Sequence, residues 1–499
     1  MKKDINAPGP RRWRTMSGKT SKTLQIDEGI RRGGRFRETR YSPAPILKEV
    51  SMADVAKLTK LPPEVADRLK AFNLNYCLTC GTCSGGCPIT GTPGMEGWDT
   101  RKVLRMLVYG MVQDVVDSKF PWLCTGCGRC AAACPMDIDI PYIMGYMKHL
   151  RARDQVPGII HKGCQNNIDT GNNMAIPKED YLFNMADMGK ELAADELPGF
   201  FVPVDRQDAS ILFFPNSKEV FSDYEDMIWW WKIFYAAREK WTIPSENWEA
   251  VDWGLFTGNY EATKLFAQRK IDMMKQFNIQ RMIMPDCGGG SYGCRVGMKN
   301  CALESPENKI NSIYLFEYLK EIIEQGRIKL DKSVHAGKVF TWHDSCKHGR
   351  ELERHFGHGY FEEPRWVIQQ CVDEFVDMEP SRMNNYCCGA GGGMWPMPYE
   401  AESAWHGRKK YEQIKNSGAN VVVVGCSNCH DQIMKRLPKF YTDYKYEVKY
   451  IWEVVADALV IDPYTEEEIA ANMAEAAAQW ERLGIEIEDE DDDWTPPEE

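Results

Sequence analysis

The chain has 499 residues, a formal net charge of -12, 43% hydrophobic residues and 18 cysteines. Its length predicts two or three compact units with cores of their own, and its charge argues against nucleic acid as the main partner, because phosphate binding needs a concentrated positive surface. No run approaches the roughly 18–20 uninterrupted apolar residues of a membrane-spanning helix, and no secretory or twin-arginine signal is read at the start. Thiols in such number then point to a reducing compartment, the cytoplasm by default, where they hold metal rather than pair as disulfides.

Residues 1–45 read as a basic arm crowded with Arg11, Arg12, Arg14, Arg31, Arg32, Arg35, Arg37 and Arg40. Such a run is either a solvated tail or an arm laid over a partner subunit or an anionic lipid surface. Residues 46–153 form a cysteine-rich helical unit. In it, Asp99 or Thr100 caps a helix with Val103, Leu104, Leu107, Val108 and Met111 on one face, and a second helix over 141–151 carries Ile143, Met144, Met147 and Leu150. Both helices read as structural. Residues 154–208 read as an irregular linker, 209–463 as a repeated α/β unit and 464–499 as an acidic tail.

Within the helical unit, Cys77-x2-Cys80-x2-Cys83-x3-Cys87-Pro88 recurs as Cys124-x2-Cys127-x2-Cys130-x3-Cys134-Pro135. This is the bacterial two-cluster ferredoxin run. Three thiolates at two-residue intervals wrap one cubane, and the fourth, turned away by the proline, reaches the other. Cys77, Cys80, Cys83 and Cys134 are therefore expected to hold one cubane [4Fe–4S] cluster, and Cys124, Cys127, Cys130 and Cys87 a second. C-x2-C pairs also make zinc sites, but a doubled quartet with both prolines favours iron and sulfide. Gly81, Gly85, Gly86, Gly126 and Gly128 suit a backbone folded tightly around sulfide.

In the α/β unit the apolar runs 211–214, 282–284, 339–342 and 421–424 read as buried strands, each followed by a turn. Three of those turns carry cysteine: Cys287, then Cys346, then Cys426 and Cys429, whereas the first run ends in Pro215-Asn216. The pattern predicts an internal duplication whose second half keeps a full cysteine set. The expected fold is thus α+β and α/β: a helical two-[4Fe–4S] ferredoxin-like domain, then a duplicated α/β domain. Cys346, the adjacent pair Cys387-Cys388 before Gly389-Ala390-Gly391-Gly392-Gly393, and Cys426-x2-Cys429 are too many and too scattered for an ordinary cubane. They suggest an opened or enlarged cluster, and the glycines suit a backbone that approaches cluster or substrate closely.

His343-Asp344-Ser345-Cys346, Tyr386-Cys387-Cys388-Gly389-Ala390-Gly391-Gly392-Gly393 and Gly425-Cys426-Ser427-Asn428-Cys429 resemble the cysteine-rich CCG domain of heterodisulfide reductases. The arrangement over about 52–460 is similar to the D subunit of the membrane-bound enzyme and to the DsrK-type subunits of sulfate-reducer membrane complexes. The resemblance implies one noncubane [4Fe–4S] cluster on Cys346, Cys387, Cys388, Cys426 and Cys429. There a small or protein disulfide or thiol substrate reacts in two one-electron steps, with electrons exchanged through the cubanes with a quinone- or haem-binding membrane subunit and other redox subunits. It further implies a cytoplasmic protein held peripherally on the inner face of the cell membrane by those partners.

Two departures from the resemblance stand out. Asn216 stands where the first cysteine of a second CCG set would fall, and Thr257-Gly258-Asn259 replaces Cys-Cys-Gly; the quartet region with Trp122-Leu123-Cys124-Thr125-Gly126-Cys127 is more similar to the C subunit of soluble heterodisulfide reductases. Cys287 and Cys294 mark the remnant of the lost set, either facing the active cluster or buried as simple thiols. His343, His348 and His430 are read as hydrogen-bonding cluster sulfur in preference to delivering protons. Cys164, Cys301 and Cys371 lack partners at ligand spacing, and Trp229, Trp230 and Trp231 read as packing. Two alternative functions stay open: a non-catalytic electron relay, and the electron-acceptor subunit of a hydroxyacid dehydrogenase that borrows its flavin from a partner.

Overall fold

The computed structural model describes residues 61–485 apart from 224, 285–287, 301–310 and 313. The basic arm, Cys287, Cys301 and the last acidic residues from 486 lie outside the described residues.

The helical unit follows from caps and apolar faces. Asp99 accepts the Lys102 backbone N–H at 2.9 Å and opens the helix Thr100–Val108, which buries Val103, Leu104 and Leu107. Met111 is buried just beyond its end, but Val108 is 48% exposed. The reason is angular, since Val108 sits about 100° around the helix from Leu107, past the edge of the apolar stripe. The second helix is Ile140–Leu150, with Pro141 in its first turn and Ile143, Met144 and Met147 buried. Each cysteine run turns into a short helix, Thr82–Gly86 and Arg129–Ala132, through a glycine in the left-handed region: Gly81 at φ 85° and Gly128 at φ 72°. That conformation is open to glycine at little cost.

The stretch expected to be an irregular linker is helical instead, with helices Gly158–Thr170 and Lys178–Asp195. The second buries Tyr181, Leu182, Met185, Met188 and Leu192 in the core of the α/β part, which supplies the stabilisation that local propensity does not advertise.

The duplication is explicit in the sheets. The first contains β1 (Ile211–Phe213), β2 (Trp241–Thr242), β3 (Arg281–Ile283) and β4 (Asn311–Ser312) in the order β2-β1-β3-β4. After β5 (Lys329–Leu330), the second contains β6 (Val339–Trp342), β7 (Glu374–Phe375), β8 (Val421–Val424) and β9 (Glu447–Tyr450) in the order β7-β6-β8-β9. All pairings within both sheets are parallel, so helices make the crossovers, and the two orders are the same once each half is counted from its own first strand. β10 (Leu459–Val460) pairs antiparallel with β5 and ties the two halves together. Trp230 and Trp231 are buried in the shared core, with Trp230 against Trp452 at 5.7 Å, and Trp229 is half-buried on it.

The stretch read as an acidic tail begins as the helix Glu466–Leu483, closed at its start by a reciprocal Thr465 and Glu468 cap. Gln479 holds it to the first half, accepting from Val204 N–H at 2.7 Å and donating to the Val202 carbonyl at 2.9 Å.

Candidate functional site

Cys77, Cys80, Cys83 and Cys134 line one small cavity. Burial pushes the Cys83 thiol up, and the neighbouring Cys77 and Cys134 add to the effect. Cys87, half-buried, is pushed up to about 12 by desolvation, with Thr100 opposing and Cys127 and Cys124 adding to the rise; Cys130 is raised by burial and by Cys87, Cys127 and Cys124. Thiols so placed ionise only beside a cation, which is the environment that bound iron supplies. Cys80 is the exposed member, with Thr82 Oγ1 at 3.4 Å.

The second constellation forms where the parallel strands β6 and β8 end. Cys346 follows β6, and Cys426 and Cys429 flank the start of the short helix Ser427–Asp431 after β8. Cys387 and Cys388 arrive on a loop pinned by Asn385, which donates to the Asp344 carbonyl. All five of these cysteines are buried. Cys388 Sγ lies 3.3 Å from Cys429 Sγ, and Ser345 Oγ reaches Cys429 Sγ at 3.9 Å. Burial pushes the Cys346 thiol up. No cysteine among the described residues is joined in a disulfide. Convergent, buried thiols of this kind are a donor set that fits iron and sulfide.

The two constellations meet. Cys127, from the second quartet, packs directly with Cys346 and Cys387, and Thr125 Oγ1 lies 3.4 Å from Cys387 Sγ. Arg350, 1% exposed, clamps the seam by donating at 2.7 Å to each of three carbonyls: Cys127, Met383 and Asn385. The glycine run serves this same seam: a Cβ on Gly392 would sit 2.5 Å from the Cys124 carbonyl oxygen, and one on Gly391 2.7 Å from that of Thr125. Those glycines admit the backbone of the quartet loop, and Gly391 and Gly392 also line the cavity between the two thiol sets.

Between the constellations opens a cavity of about 380 Å³ whose lining includes Cys124 on one side and Cys346, Cys388, Cys426 and Cys429 on the other. Four cationic side chains line it, Arg68, Lys148, Lys264 and Lys347, and two of them are held close to the thiol loops. Lys148 Nζ donates to the Gly392 carbonyl at 3.0 Å and lies 5.5 Å from the Trp122 ring, and burial lowers its pKa to about 8. Lys347 sits 4.2 Å over the Tyr292 ring and 3.7 Å from Glu351. Sequence reasoning missed Lys148, Lys347, Arg350 and Thr125. The available signal for Lys148 was a charged residue one position after Met147 on a helix that otherwise buries its apolar face.

The other candidates separate. His343 and His348 are each 1% exposed, and neither ring has a hydrogen-bond partner, so the expected bonds to sulfur are not made to any cysteine Sγ. His430 stacks on Tyr450 at 4.2 Å. Cys294 is buried among Leu212, Phe214, Met282 and Met298 as a core thiol, Cys164 packs with Ala262 and Phe266, and Cys371 is enclosed in the main core. In the first half, Asn216 and Asn259 cap helices with their side chains, and Gly258 packs on the backbone of Lys148 and His149. The remnant loop thus keeps its docking contact with the helical unit while carrying no thiol.

Residues 73–138 match the 4Fe–4S dicluster domain, and residues 340–434 match the cysteine-rich domain CCG. The chain is 23% identical over 484 residues to an Hdr-like menaquinol oxidoreductase iron–sulfur subunit 2 of Archaeoglobus fulgidus, covering 81% of this chain and 83% of that one. It is 23% identical over 424 residues to the D subunit of the dihydromethanophenazine:CoB–CoM heterodisulfide reductase of Methanosarcina barkeri, covering 78% and 95%. A protein of Archaeoglobus profundus that is like the C subunit of heterodisulfide reductase is 30% identical over 112 residues, 22% of this chain and 58% of that protein. Among the described residues no helix is long and apolar enough to cross a membrane.

Proposed function

We propose that this chain, which joins a 4Fe–4S dicluster domain to a CCG domain and is similar to heterodisulfide reductase-like iron–sulfur subunits, carries electrons between a redox partner and a disulfide or thiol substrate. Cys77, Cys80, Cys83 and Cys134 hold one cubane [4Fe–4S] cluster, Cys87, Cys124, Cys127 and Cys130 a second, and Cys346, Cys387, Cys388, Cys426 and Cys429 a noncubane [4Fe–4S] cluster.

The observation that carries this reading is the 380 Å³ cavity, which touches thiols of the second quartet and of the CCG set at once. A substrate seated there lies against the last centre of the chain and beside the one that feeds it. Iron–sulfur centres in these positions supply single electrons, so that a disulfide, two electrons and two protons give two thiols. The protein's part is to exclude water and set charge: Lys148 and Lys347 place positive charge where a thiolate develops, in a low-dielectric site where it counts most. At the other end, Cys80 is exposed on the same short segment as Tyr76 and Leu78, themselves 55% and 65% exposed, which suits docking of an electron-exchanging partner. The menaquinol in the name of the Archaeoglobus relative supports a quinone- or haem-bearing membrane subunit as that partner, with this chain held peripherally on the cytoplasmic face.

Anaerobic protein tests the reading. About twelve irons per chain are expected at four per cluster, together with a new paramagnetic signal when thiol is added to the oxidised protein. Full iron with no response to any thiol or disulfide leaves only the relay role.

A further inference from the structure

Besides the five cysteines, His343 offers a ring nitrogen beside the CCG thiols. His343 leaves the end of β6 with its backbone N–H bonded to the Val423 carbonyl of β8 at 2.9 Å, which fixes it beside the turn that carries Cys426 and Cys429. Its ring is buried, and neither nitrogen has a hydrogen-bond partner. An unmet buried polar group is costly, and a fold retains one where something else satisfies it.

A ring nitrogen of His343 and the Sγ atoms of Cys388 and Cys429 all lie within 4.8 Å of one another. The two sulfurs are 3.3 Å apart, in the range spanned by two thiolates on a single metal with metal–sulfur bonds of about 2.3 Å. Competing partners for the ring are engaged elsewhere: both Asp344 carboxylate oxygens accept from Arg365, at 2.8 and 2.9 Å, and Lys410 Nζ is turned to Gln413 and Met378. His348 is equally buried and without a hydrogen-bond partner, but it lies against the Phe316 ring at 5.3 Å, and among the described residues no such group of ligand atoms closes around it.

We propose that His343 is a further protein ligand of the CCG centre, binding iron through one imidazole nitrogen beside Cys388 and Cys429, so that the centre is a mixed nitrogen and sulfur site. The inference rests on the iron–sulfur reading of the CCG cysteines. A neutral imidazole on iron adds no negative charge, and imidazole ligation is associated with higher potentials among iron–sulfur proteins.

The test is pulsed electron paramagnetic resonance on the intact, cluster-loaded protein grown with natural or ¹⁵N-labelled histidine. Because one-electron steps alternate between even and odd electron counts, a paramagnetic state of the centre is reached by redox poising. Wild-type protein should show the strong coupling of a directly bound nitrogen, altered by the isotope. The signal should persist in His348→Phe and vanish in His343→Cys, where a thiolate can take the imidazole's place and keep the iron. Only the weak coupling of a hydrogen-bonded nitrogen, or a strong coupling that survives His343→Cys, overturns the proposal. Iron content and the thiol response are read on the same wild-type sample. Full values there without strong nitrogen coupling defeat this inference alone, whereas missing iron defeats it together with the functional reading.

Discussion

Thr125 Oγ1 and Cys387 Sγ, 262 positions apart in sequence, stand 3.4 Å apart and join the quartet loop to the paired cysteines of the CCG domain. Around them Arg350 binds carbonyls on both sides, and Gly391 and Gly392 let the two backbones touch. The seam makes the second quartet and the CCG set neighbours, and most of the consequences that can be measured arise there.

Once Cys387 is a thiolate, only the Thr125 hydroxyl can donate in that pair. A hydrogen bond to sulfur favours the more reduced, more negative state. Thr125→Val keeps the shape and removes the donor. The potential of the CCG centre should fall by about 40 mV, the equivalent of roughly 1 kcal/mol for one electron. A potentiometric titration followed by paramagnetic resonance reads the shift, and an unchanged potential would show that the hydroxyl points elsewhere.

Gly128 combines a left-handed φ of 72° with a Cβ position that the Glu351 carboxylate already occupies. Gly326, at φ 66°, has nothing within 4 Å. Gly326→Ala should cost only the backbone strain of about 1–2 kcal/mol. Gly128→Ala must also displace a buried carboxylate paired with Arg354 at 2.9 Å, and breaking such a pair costs about 3–5 kcal/mol. Melting temperatures should therefore drop several-fold more for Gly128→Ala. Equal drops would mean that Glu351 moves aside freely.

Glu351 also sets a pH dependence. Burial by itself would raise its pKa, but Lys347, His355 and Arg354 outweigh it and hold the carboxyl at about 2, below its ordinary 4.5. A depressed carboxylate contributes stability that is complete above its unfolded value and is lost as pH falls through the folded one. The contribution, on the order of 3 kcal/mol, should therefore decline between pH 4.5 and about 2. Urea midpoints of wild type and Glu351→Gln should differ at pH 7 and converge in acid. A constant gap would contradict the assignment.

The crosswise quartets make a paired prediction. Cys87→Ser should disturb the centre of Cys124, Cys127 and Cys130 and spare that of Cys77, Cys80 and Cys83, and Cys134→Ser should do the reverse. Cys164→Ser and Cys371→Ala, both changes of core thiols, should leave iron content unaltered. Iron analysis with the two spectral signatures decides it, and damage confined to a residue's own run would replace the crosswise arrangement.

How far the chain could be read without its fold depends on the range of the interactions involved. The four central strands were legible because each is an apolar run buried on both faces, whereas β2, β4 and β7, at two residues each, carry no periodicity, and β9 alternates exposed Glu447 and half-buried Lys449 with buried Val448 and Tyr450. The helices Lys178–Asp195 and Glu466–Leu483 read as linker and tail in the sequence because their buried residues find partners in the distant α/β core.

By itself the sequence determined the fold class, the dicluster and CCG domains, and the duplication, because thiol spacing and apolar runs are local patterns that chemistry constrains within a few residues. Only the tertiary structure decided that the glycine run admits a neighbouring loop, that Lys148 and Lys347 share a cavity with both thiol sets, and that His343 faces Cys388 and Cys429. Those are contacts between segments far apart along the chain, set by how the helical unit packs on the sheets, and packing of that kind leaves no periodic trace in the order of the residues.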